Sequence, residues 1–329
     1  MSFSLWKKHD HAFQAIVGSN PELRMLLEVQ EYPFAHEAGV FIAETDEVFI
    51  TSKPYGNSDK MKVIISKCKF NRQTGDMSRE EIPTDMIHMG NGGVNYQDGI
   101  LFCAQGSLTA PSGLFKMERK PPYTTTPVVI SFLGRPFNSV NDVVIHSDGS
   151  IWFTDPIYGF EVGYRPRPSL PSQVYRYDPS TQAIRAIADG FGHPNGLCFS
   201  PDEKTLYVTD TDRLHGDGSF DSHRVSSIYA MDVVYYHGQP SLVNRRLFAM
   251  ADAGIPDGIK CDTAGNVYSG CGDGVHVWSP GGVLLGKILV EGGCANFCFG
   301  RDGELFILNE KRLWRAQLAS NIKGALLGI

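Results

Sequence analysis

Six polar residues recur at the same place in a repeated pattern of this sequence, and their types point to cation chemistry. Each lies ten to twelve residues before an aromatic residue of a short apolar run. In chain order they are Glu37, Asn91, Asn141, Asn195, Asp257 and Asn296. If they converge, the two carboxylates and four amides form an oxygen-rich, net-negative pocket. Such a pocket suits a hard cation, above all Ca²⁺, which takes about six to eight oxygen ligands.

An Asn-Gly or Asp-Gly pair also has a simpler interpretation, because both dipeptides are common in turns. The pairs Asp98-Gly99, Asp148-Gly149 and Asp302-Gly303 fit it, since they stand directly before the apolar runs, where hairpin turns are expected. For the six polar positions, the shared spacing favours a site over six unrelated turns.

The elements that would position these residues are six copies of one unit. Each copy has turn residues, an apolar–aromatic pair and then small or polar residues, as in DEVFITS, DGSIWFTD and DGELFILN. The aromatic residues are Phe49, Phe102, Trp152, Tyr207, Tyr268 and Phe306. A turn before a β-branched and aromatic run is typical of a hairpin. Several short strands in each unit of roughly 50 residues predict an all-β, six-bladed propeller with four-stranded blades. A pair of sandwiches is the alternative, but it does not explain the regular spacing.

We expect one domain with short additions at both ends. The propeller would span residues 34–316, after an N-terminal extension, 1–33, and before a C-terminal tail, 317–329. The run PELRMLLEV at 21–29 has a helical pattern and predicts a short helix in the extension. The inner strands of a propeller surround its central channel, so the six polar residues would meet there.

Composition and charge argue against several classes of function. Lys and Arg number 30 against 36 Asp and Glu, for a net charge of −6, and no basic run occurs, which disfavours nucleic-acid binding. No apolar stretch approaches the roughly 18 residues of a membrane-spanning helix. The sequence also lacks a P-loop, a dinucleotide-binding glycine motif and a G-x-S-x-G motif.

The first residues and the cysteines bear on location. The start, MSFSLWKKHDHAF, lacks the apolar core of a signal peptide, and no N-glycosylation sequon occurs. The seven cysteines are odd in number and form no C-x-x-C motif, so we expect reduced thiols and a cytoplasmic protein. Cys294 and Cys298 are spaced like half of a zinc site, but no second half exists, and we interpret them as buried strand residues.

Long stretches of the chain resemble one family. They include GRPFNSVNDVVIHSDGSIWFTDPIYG (134–159), HPNGLCFSPDEKTLYVTDT (193–211), IPDGIKCDTAGNVYSG (255–270) and NFCFGRDGELFILN (296–309). On these runs the sequence resembles the senescence-marker-protein/gluconolactonase family, and within it microbial gluconolactonases and fungal lactonohydrolases. The resemblance covers about residues 34–316. It implies a six-bladed propeller that hydrolyses a small lactone, similar to an aldonolactone or pantoyl lactone, with a bound Ca²⁺, or alternatively Zn²⁺, Mn²⁺ or Mg²⁺.

The resemblance also implies roles for the residues selected by spacing. The metal ligands would be Glu37, Asn141, Asn195 and Asp257. Asp257 would also act as general base, while the second catalytic carboxylate, Glu37, would mainly bind the metal and balance charge.

Two further polar positions, and one position that differs from the family's pattern, concern the substrate. Asn91 would face the same pocket, and Asn296 occupies a last-blade position that varies in the family. Ser139 stands where the animal members have an arginine that helps to hold a sugar-acid lactone. The contact that this arginine makes with a sugar-acid lactone in the animal members is therefore not expected here.

Four histidines lie near the predicted pocket. We expect His88 to stand at its rim and His193 to support it from behind. His276 would line the channel or help to hold a second, structural Ca²⁺. Side chains alternate along a strand, so His36, next to Glu37, should point away from the channel.

Two long insertions, at 164–173 and 212–224, follow the ends of predicted inner strands in the third and fourth repeats. We expect them to form lids that decide the substrate. Tyr158 and Phe160 would add apolar surface beside them.

Three classes of function remain open from the sequence. The first is a Ca²⁺-dependent lactonase with a small-molecule substrate and no nucleic-acid or membrane partner. The second is a phosphotriesterase-like hydrolase that uses the same pocket. The third is a propeller without catalysis, or one recruited to a non-hydrolytic biosynthetic step. The sequence makes no prediction of oligomeric state.

Overall fold

Short antiparallel strands make up most of the regular structure, as the turn-rich repeats predict. The computed structural model describes residues 5–56 and 61–326. The chain begins with two strands and a short helix, β1 (Trp6–Lys8), α1 (Phe13–Val17) and β2 (Glu22–Glu28).

Antiparallel sheets, the blades, then follow one another along the chain. Blade one contains β3 (Glu37–Ile42), β4 (Glu47–Thr51), β5 (Ile65–Phe70) and β6 (Met77–Ile82). Blade two contains β7 (Gly90–Tyr96), β8 (Gly99–Ala104), β9 (Gly113–Glu118) and β10 (Thr125–Val129). A small ribbon of β11 (Ser131–Phe132) and β12 (Arg135–Pro136) follows.

Blade three contains β13 (Val143–Ile145), β14 (Ile151–Asp155), β15 (Gln173–Asp178) and β16 (Ala183–Ala188), with α2 (Tyr158–Val162) between β14 and β15. Blade four contains β17 (Pro194–Phe199), β18 (Thr205–Asp210), β19 (Ser227–Tyr236) and β20 (Gln239–Met250). Blade five contains β21 (Ile259–Cys261), β22 (Val267–Cys271), β23 (Gly274–Trp278) and β24 (Leu284–Leu289), with β1 at its outer edge. Blade six contains β25 (Asn296–Phe299), β26 (Glu304–Asn309) and β27 (Arg312–Gln317), with β2 as its fourth strand.

The inner strands form a closed ring around the central channel. Contacts run in order through β3, β7, β13, β17, β21 and β25, and from β25 back to β3. The N-terminal β2 pairs antiparallel with the C-terminal β27, so the two ends of the chain close the ring within one blade. The predicted six-bladed propeller is confirmed.

The predicted helix at 21–29 is wrong, because most of this segment is strand β2. Its apolar residues contact two different clusters: Leu23 packs between blades five and six, and Leu26 and Leu27 pack between blades six and one. Apolar residues on both faces of a strand break the usual alternation, and the pattern then imitates a helix. The predicted extension 1–33 thus supplies strands to blades five and six, and the short helix is α1 instead.

Hydrophobic clusters between neighbouring blades form the core. The repeated aromatic residues lie on the second strands of the blades, and each is at most 5% exposed. Phe41 of blade one, for example, stacks on Phe306 of blade six with ring centroids 5.8 Å apart. Apolar burial of this kind is the main favourable term in folding. It also holds the inner strands, and hence the channel residues, at fixed positions.

The residues after β27 run to the end of the channel opposite the starts of the inner strands. The amide of Thr263 donates to the carbonyl of Lys323 at 2.8 Å, and that of Ala325 donates to Cys261 at 2.9 Å. Residues 324–326 line a small cavity at that end.

Candidate active site

A cavity of about 240 Å³ lies where the inner strands begin. Five of the six polar residues predicted from spacing line it, namely Glu37, Asn91, Asn141, Asn195 and Asp257. The sixth, Asn296, is fully buried behind Glu37 and donates from Nδ2 to Glu37 Oε2 at 2.7 Å. The equivalent positions of six blades therefore meet, as the repeat predicts.

Threonine hydroxyl groups fix several of these residues from the neighbouring blade. Thr51 donates to the carbonyl of Asn91 at 3.0 Å, and Thr154 donates to that of Asn195 at 2.7 Å. Thr209 donates to the carbonyl of Asp257 at 2.9 Å.

These threonines are the last or second-to-last residues of the second strands of their blades. They are not among the residues predicted from spacing, although they stand in the similar runs ITS, FTD and VTD. That recurrence was the available signal.

The glycine after a pocket residue allows the close approach of the next blade. A Cβ on Gly92 would lie 2.4 Å from Asp142 Oδ1 and 2.6 Å from the carbonyl of Asn141. Its amide donates to that same carbonyl at 2.8 Å, and Asn91 Nδ2 donates to it at 3.0 Å. The Asn-Gly pair at this position therefore serves an interblade contact and not a hairpin turn.

The two carboxylates of the pocket are held in a poorly solvated place. Burial, together with the negative charge of Asp257, raises the pKa of Glu37 to about 8. Burial also raises the pKa of Asp257 to about 7. Both shifts mean that charge in this pocket is costly unless a positive group compensates it.

Two buried oxygen atoms in the same pocket have no hydrogen-bond partner, Asn141 Oδ1 and Asp257 Oδ1. Native proteins rarely leave such acceptors unpaired, and each needs an explanation. Two acidic side chains and amide oxygens are the donor set that a hard cation prefers. Among the described residues no three His, Cys, Asp or Glu side chains group as a metal site on their own, so a cation here would depend on the asparagines. The residues fit a divalent cation with oxygen ligands.

A histidine–glutamate pair stands beside this set. His36 lines the cavity, and its Nδ1 lies 3.1 Å from Glu310 Oε1. Burial alone would lower the pKa of His36, but the Glu310 carboxylate outweighs it and raises the pKa. Burial likewise opposes the charge of Glu310, yet His36 and Lys53 bring its pKa down to about 2.

The prediction that His36 points away from the channel is wrong. The residue precedes β3, so the alternation of a regular strand does not apply to it. Glu310 was missed because its contact with His36 joins positions 274 residues apart in the chain. Lys53 was missed for a related reason, since it belongs to this group through Glu310, whose Oε1 lies 3.6 Å from its Nζ.

His193 lies behind the pocket, as expected for a supporting residue. Its ring stacks on that of Tyr158 with centroids 4.7 Å apart, and Tyr158 lines the cavity. The two ring nitrogens of His193 each lie 3.1 Å from a carboxylate oxygen, of Asp212 and Glu161. The histidine thus holds the aromatic wall in place.

His88 and His276 do not reach the cavity. His88 is exposed in the loop before β7. His276 is buried in blade five, with Nε2 2.5 Å from Asp273 Oδ1. The Lys287 ammonium group lies 2.6 Å from Asp252 and 3.1 Å from Asp273, so a cation of the chain itself occupies the place that a structural Ca²⁺ would need.

The two insertions contribute unequally to the mouth of the cavity. Tyr164 begins the first and lines the cavity, while Leu214, His215 and Gly216 line it from the second. Phe160, predicted to add apolar surface, is 43% exposed and does not line the cavity. Ser139 is fully buried and donates to the carbonyl of Pro156 at 2.9 Å, so this position does not offer a group to a substrate.

The described residues contain no helical membrane-spanning segment. No helix within 5–56 or 61–326 is long and apolar enough to cross a bilayer.

Comparisons with known proteins agree with this architecture. The lactonohydrolase oryL of Aspergillus oryzae is 28% identical over 322 residues, which cover 90% of this chain and 69% of that protein. A gluconolactonase of Zymomonas mobilis is 31% identical over 215 residues, 60% of this chain and 56% of that protein. Among solved structures, a gluconolactonase from Xanthomonas campestris superposes with a TM-score of 0.75 at 27% identity and covers 96% of both chains.

The family profile described as the SMP-30/Gluconolactonase/LRE-like region matches residues 63–310, most of the propeller. With the ring of six blades and the polar residues at their inner strands, this match is decisive. The chain belongs to the SMP-30/gluconolactonase/LRE-like family.

Proposed function

We propose that this protein is a lactonase that hydrolyses the ester bond of a small lactone with a divalent cation, Ca²⁺ in the first place, in the central cavity. The cation ligands would be Glu37, Asn141, Asn195 and Asp257. The observation that carries the proposal is the pair of buried, unpartnered oxygens, Asn141 Oδ1 and Asp257 Oδ1. An unpaired buried acceptor is costly, and a cation would remove that cost for both atoms. Relatives named as lactonohydrolase and gluconolactonase support the reaction class.

A bound divalent cation polarises a carbonyl and stabilises the negative charge that develops on its oxygen. Asp257 is the proposed general base. Its carboxylate accepts a proton from the water that attacks the lactone carbonyl. The same proton returns to the ring oxygen when the ester C–O bond breaks, so one water is consumed and one hydroxy acid is formed.

Glu37 has a different role in this proposal. Asn296 Nδ2 donates to its Oε2 at 2.7 Å, which orients the carboxylate that would hold the cation. Its negative charge balances the cation within a buried pocket, where an uncompensated charge of either sign is unfavourable.

The test makes the same change, Asp to Asn, at two different Asp-Gly pairs. Asp257→Asn should remain folded but lose on the order of a hundredfold or more of lactone turnover, the usual contribution of a general base. Asp302→Asn is the matched control, because Asp302 is exposed in a hairpin turn and should keep full activity. Hydrolysis by the unaltered protein should stop with a chelator and return with Ca²⁺. Full activity of Asp257→Asn would rule out its role as base.

The same assay separates the other classes of function. A panel of lactones and a fluorophosphate, each with Ca²⁺ and with chelator, distinguishes a lactonase from a phosphotriesterase. The absence of chelator-sensitive hydrolysis of every compound would leave a non-hydrolytic role. The cytoplasmic location stays a prediction.

A further inference from the structure

The cavity is lined by apolar side chains as well as by the proposed cation ligands. We call the apolar part of the lining the lid wall. It is formed by Tyr158 and Val162 of α2, by Tyr164, by Leu214 of the second insertion and by Ile255.

The polar atoms of the lid wall are already used within the protein. Tyr158 Oη lies 2.5 Å from Thr211 Oγ1, and Tyr164 donates to Gln105 Oε1 at 2.6 Å. Two further polar side chains of the lining, His215 and Lys53, each lie 3.6 Å from a carboxylate oxygen, of Glu161 and Glu310. A polyhydroxylated lactone would therefore bring several hydroxyl groups against polar groups that already have partners in the protein. Unpaired polar groups weaken binding, whereas apolar substituents gain from burial there.

The lid wall is also held in place. The amide of Gly216 donates to Glu161 Oε2 at 2.7 Å, and His193 Nε2 lies 3.1 Å from Glu161 Oε1. Glu161 thus joins α2 to the insertion that carries Leu214. A surface that is ordered before binding loses less entropy when the substrate arrives.

We propose that the lid wall binds an apolar substituent on the lactone ring, so that the protein prefers alkyl-substituted lactones to polyhydroxylated sugar lactones. Leu214 and Val162 are the specificity-determining residues. This inference rests on the proposed lactonase function and adds the class of substrate to it.

The test compares three lactones on the full-length protein with Ca²⁺. The substrates are δ-valerolactone, which has no substituent, δ-nonalactone, which carries a butyl chain, and glucono-δ-lactone, which carries hydroxyl groups. We expect kcat/KM for δ-nonalactone to exceed both other values by at least about tenfold, the scale of apolar discrimination in a pocket.

Variants locate the effect. Leu214→Asn should lower kcat/KM for δ-nonalactone by about tenfold and change that for δ-valerolactone by less than about threefold. Val162→Thr keeps the size of the side chain and should act in the same direction, which provides a second variant if Leu214→Asn does not fold. Leu247→Asn is the control, because Leu247 is 63% exposed on β20, and it should change neither value.

Each outcome has one meaning. Faster hydrolysis of glucono-δ-lactone than of δ-nonalactone overturns the inference and leaves the lactonase function intact. Equal loss on δ-nonalactone and δ-valerolactone in both lid-wall variants also overturns it, since the wall would then not recognise the substituent. If none of the three lactones is hydrolysed, the proposed function itself fails, and the inference fails with it.

Discussion

Asn296 in the last blade donates a hydrogen bond of 2.7 Å to the carboxylate of Glu37 in the first blade. The two residues are 259 positions apart in the chain, and the closure of the ring brings them together. The same asparagine accepts a hydrogen bond from the amide of Phe297 at 2.8 Å, so its own orientation is fixed. The position of a proposed cation ligand therefore depends on the completion of the ring.

A prediction follows for Asn296→Leu, which keeps the approximate size but removes the donor. Glu37 would lose its orienting partner, and the affinity for Ca²⁺ should fall by on the order of tenfold or more, as is usual for groups that position metal ligands. Isothermal titration with Ca²⁺ measures this change. An unchanged affinity in a folded variant would show that Asn296 does not position Glu37.

The raised pKa of Glu37 predicts how stability depends on pH in the cation-free protein. Burial raises this pKa from 4.5 to about 8, so the folded protein keeps a proton that the unfolded chain has released. The folded state binds more protons than the unfolded state in this range, and the free energy of unfolding should fall as pH rises from about 4.5 to about 8.

Glu37→Gln should flatten that slope. At each pH, the free energy of unfolding of the variant is compared with that of the unaltered protein. This difference should be at least about 1 kcal/mol larger or smaller at pH 8 than at pH 5, since one pKa unit corresponds to about 1.4 kcal/mol. Urea denaturation in the presence of a chelator measures it. Glu118→Gln, at an exposed carboxylate, is the control. Parallel pH profiles of Glu37→Gln and the unaltered protein would contradict the prediction.

The interblade threonines make a separate contribution to stability. Thr154 is fully buried, donates to the carbonyl of Asn195 at 2.7 Å and accepts from the amide of Asp142 at 3.1 Å. Thr154→Val keeps the shape and leaves both backbone groups without that partner. We expect a loss of about 1–3 kcal/mol in the free energy of unfolding, the cost of unsatisfied buried groups.

The control for Thr154→Val is Thr126→Val, because Thr126 is exposed on the outer strand β10 and a β-branched residue is well tolerated there. Urea denaturation of both variants separates the buried hydrogen bonds from the general effect of the substitution. Equal stabilities would show that the hydroxyl group of Thr154 contributes nothing.

The fold and the polar ring were predictable because both repeat. Glu37 and Asp257 occupy equivalent places in their blades, and a periodic sequence reports such equivalence directly. Contacts made once in the molecule leave no periodic trace, so the pairing of His36 with Glu310 was not found. The sequence of strand β2 resembles that of a helix for a related reason, since its apolar residues contact two interblade clusters on opposite faces.

The tight contact at Gly92 yields the last prediction. A Cβ at this position would come within 2.6 Å of the carbonyl of Asn141 and within 2.4 Å of Asp142 Oδ1, which no side-chain rotation of residue 92 could relieve. Gly92→Ala should therefore separate blades two and three at the pocket. We expect a loss of about 1–3 kcal/mol in the free energy of unfolding, as in overpacked cores, together with weaker Ca²⁺ binding because Asn141 is displaced.

Gly281→Ala is the matched control: its Cβ would approach only Ser279 Oγ, at 3.8 Å, and stability should be nearly unchanged. Thermal denaturation and Ca²⁺ titration of the two variants measure both effects, and a Gly92→Ala protein that matches Gly281→Ala in both would show that the blades tolerate the wider spacing.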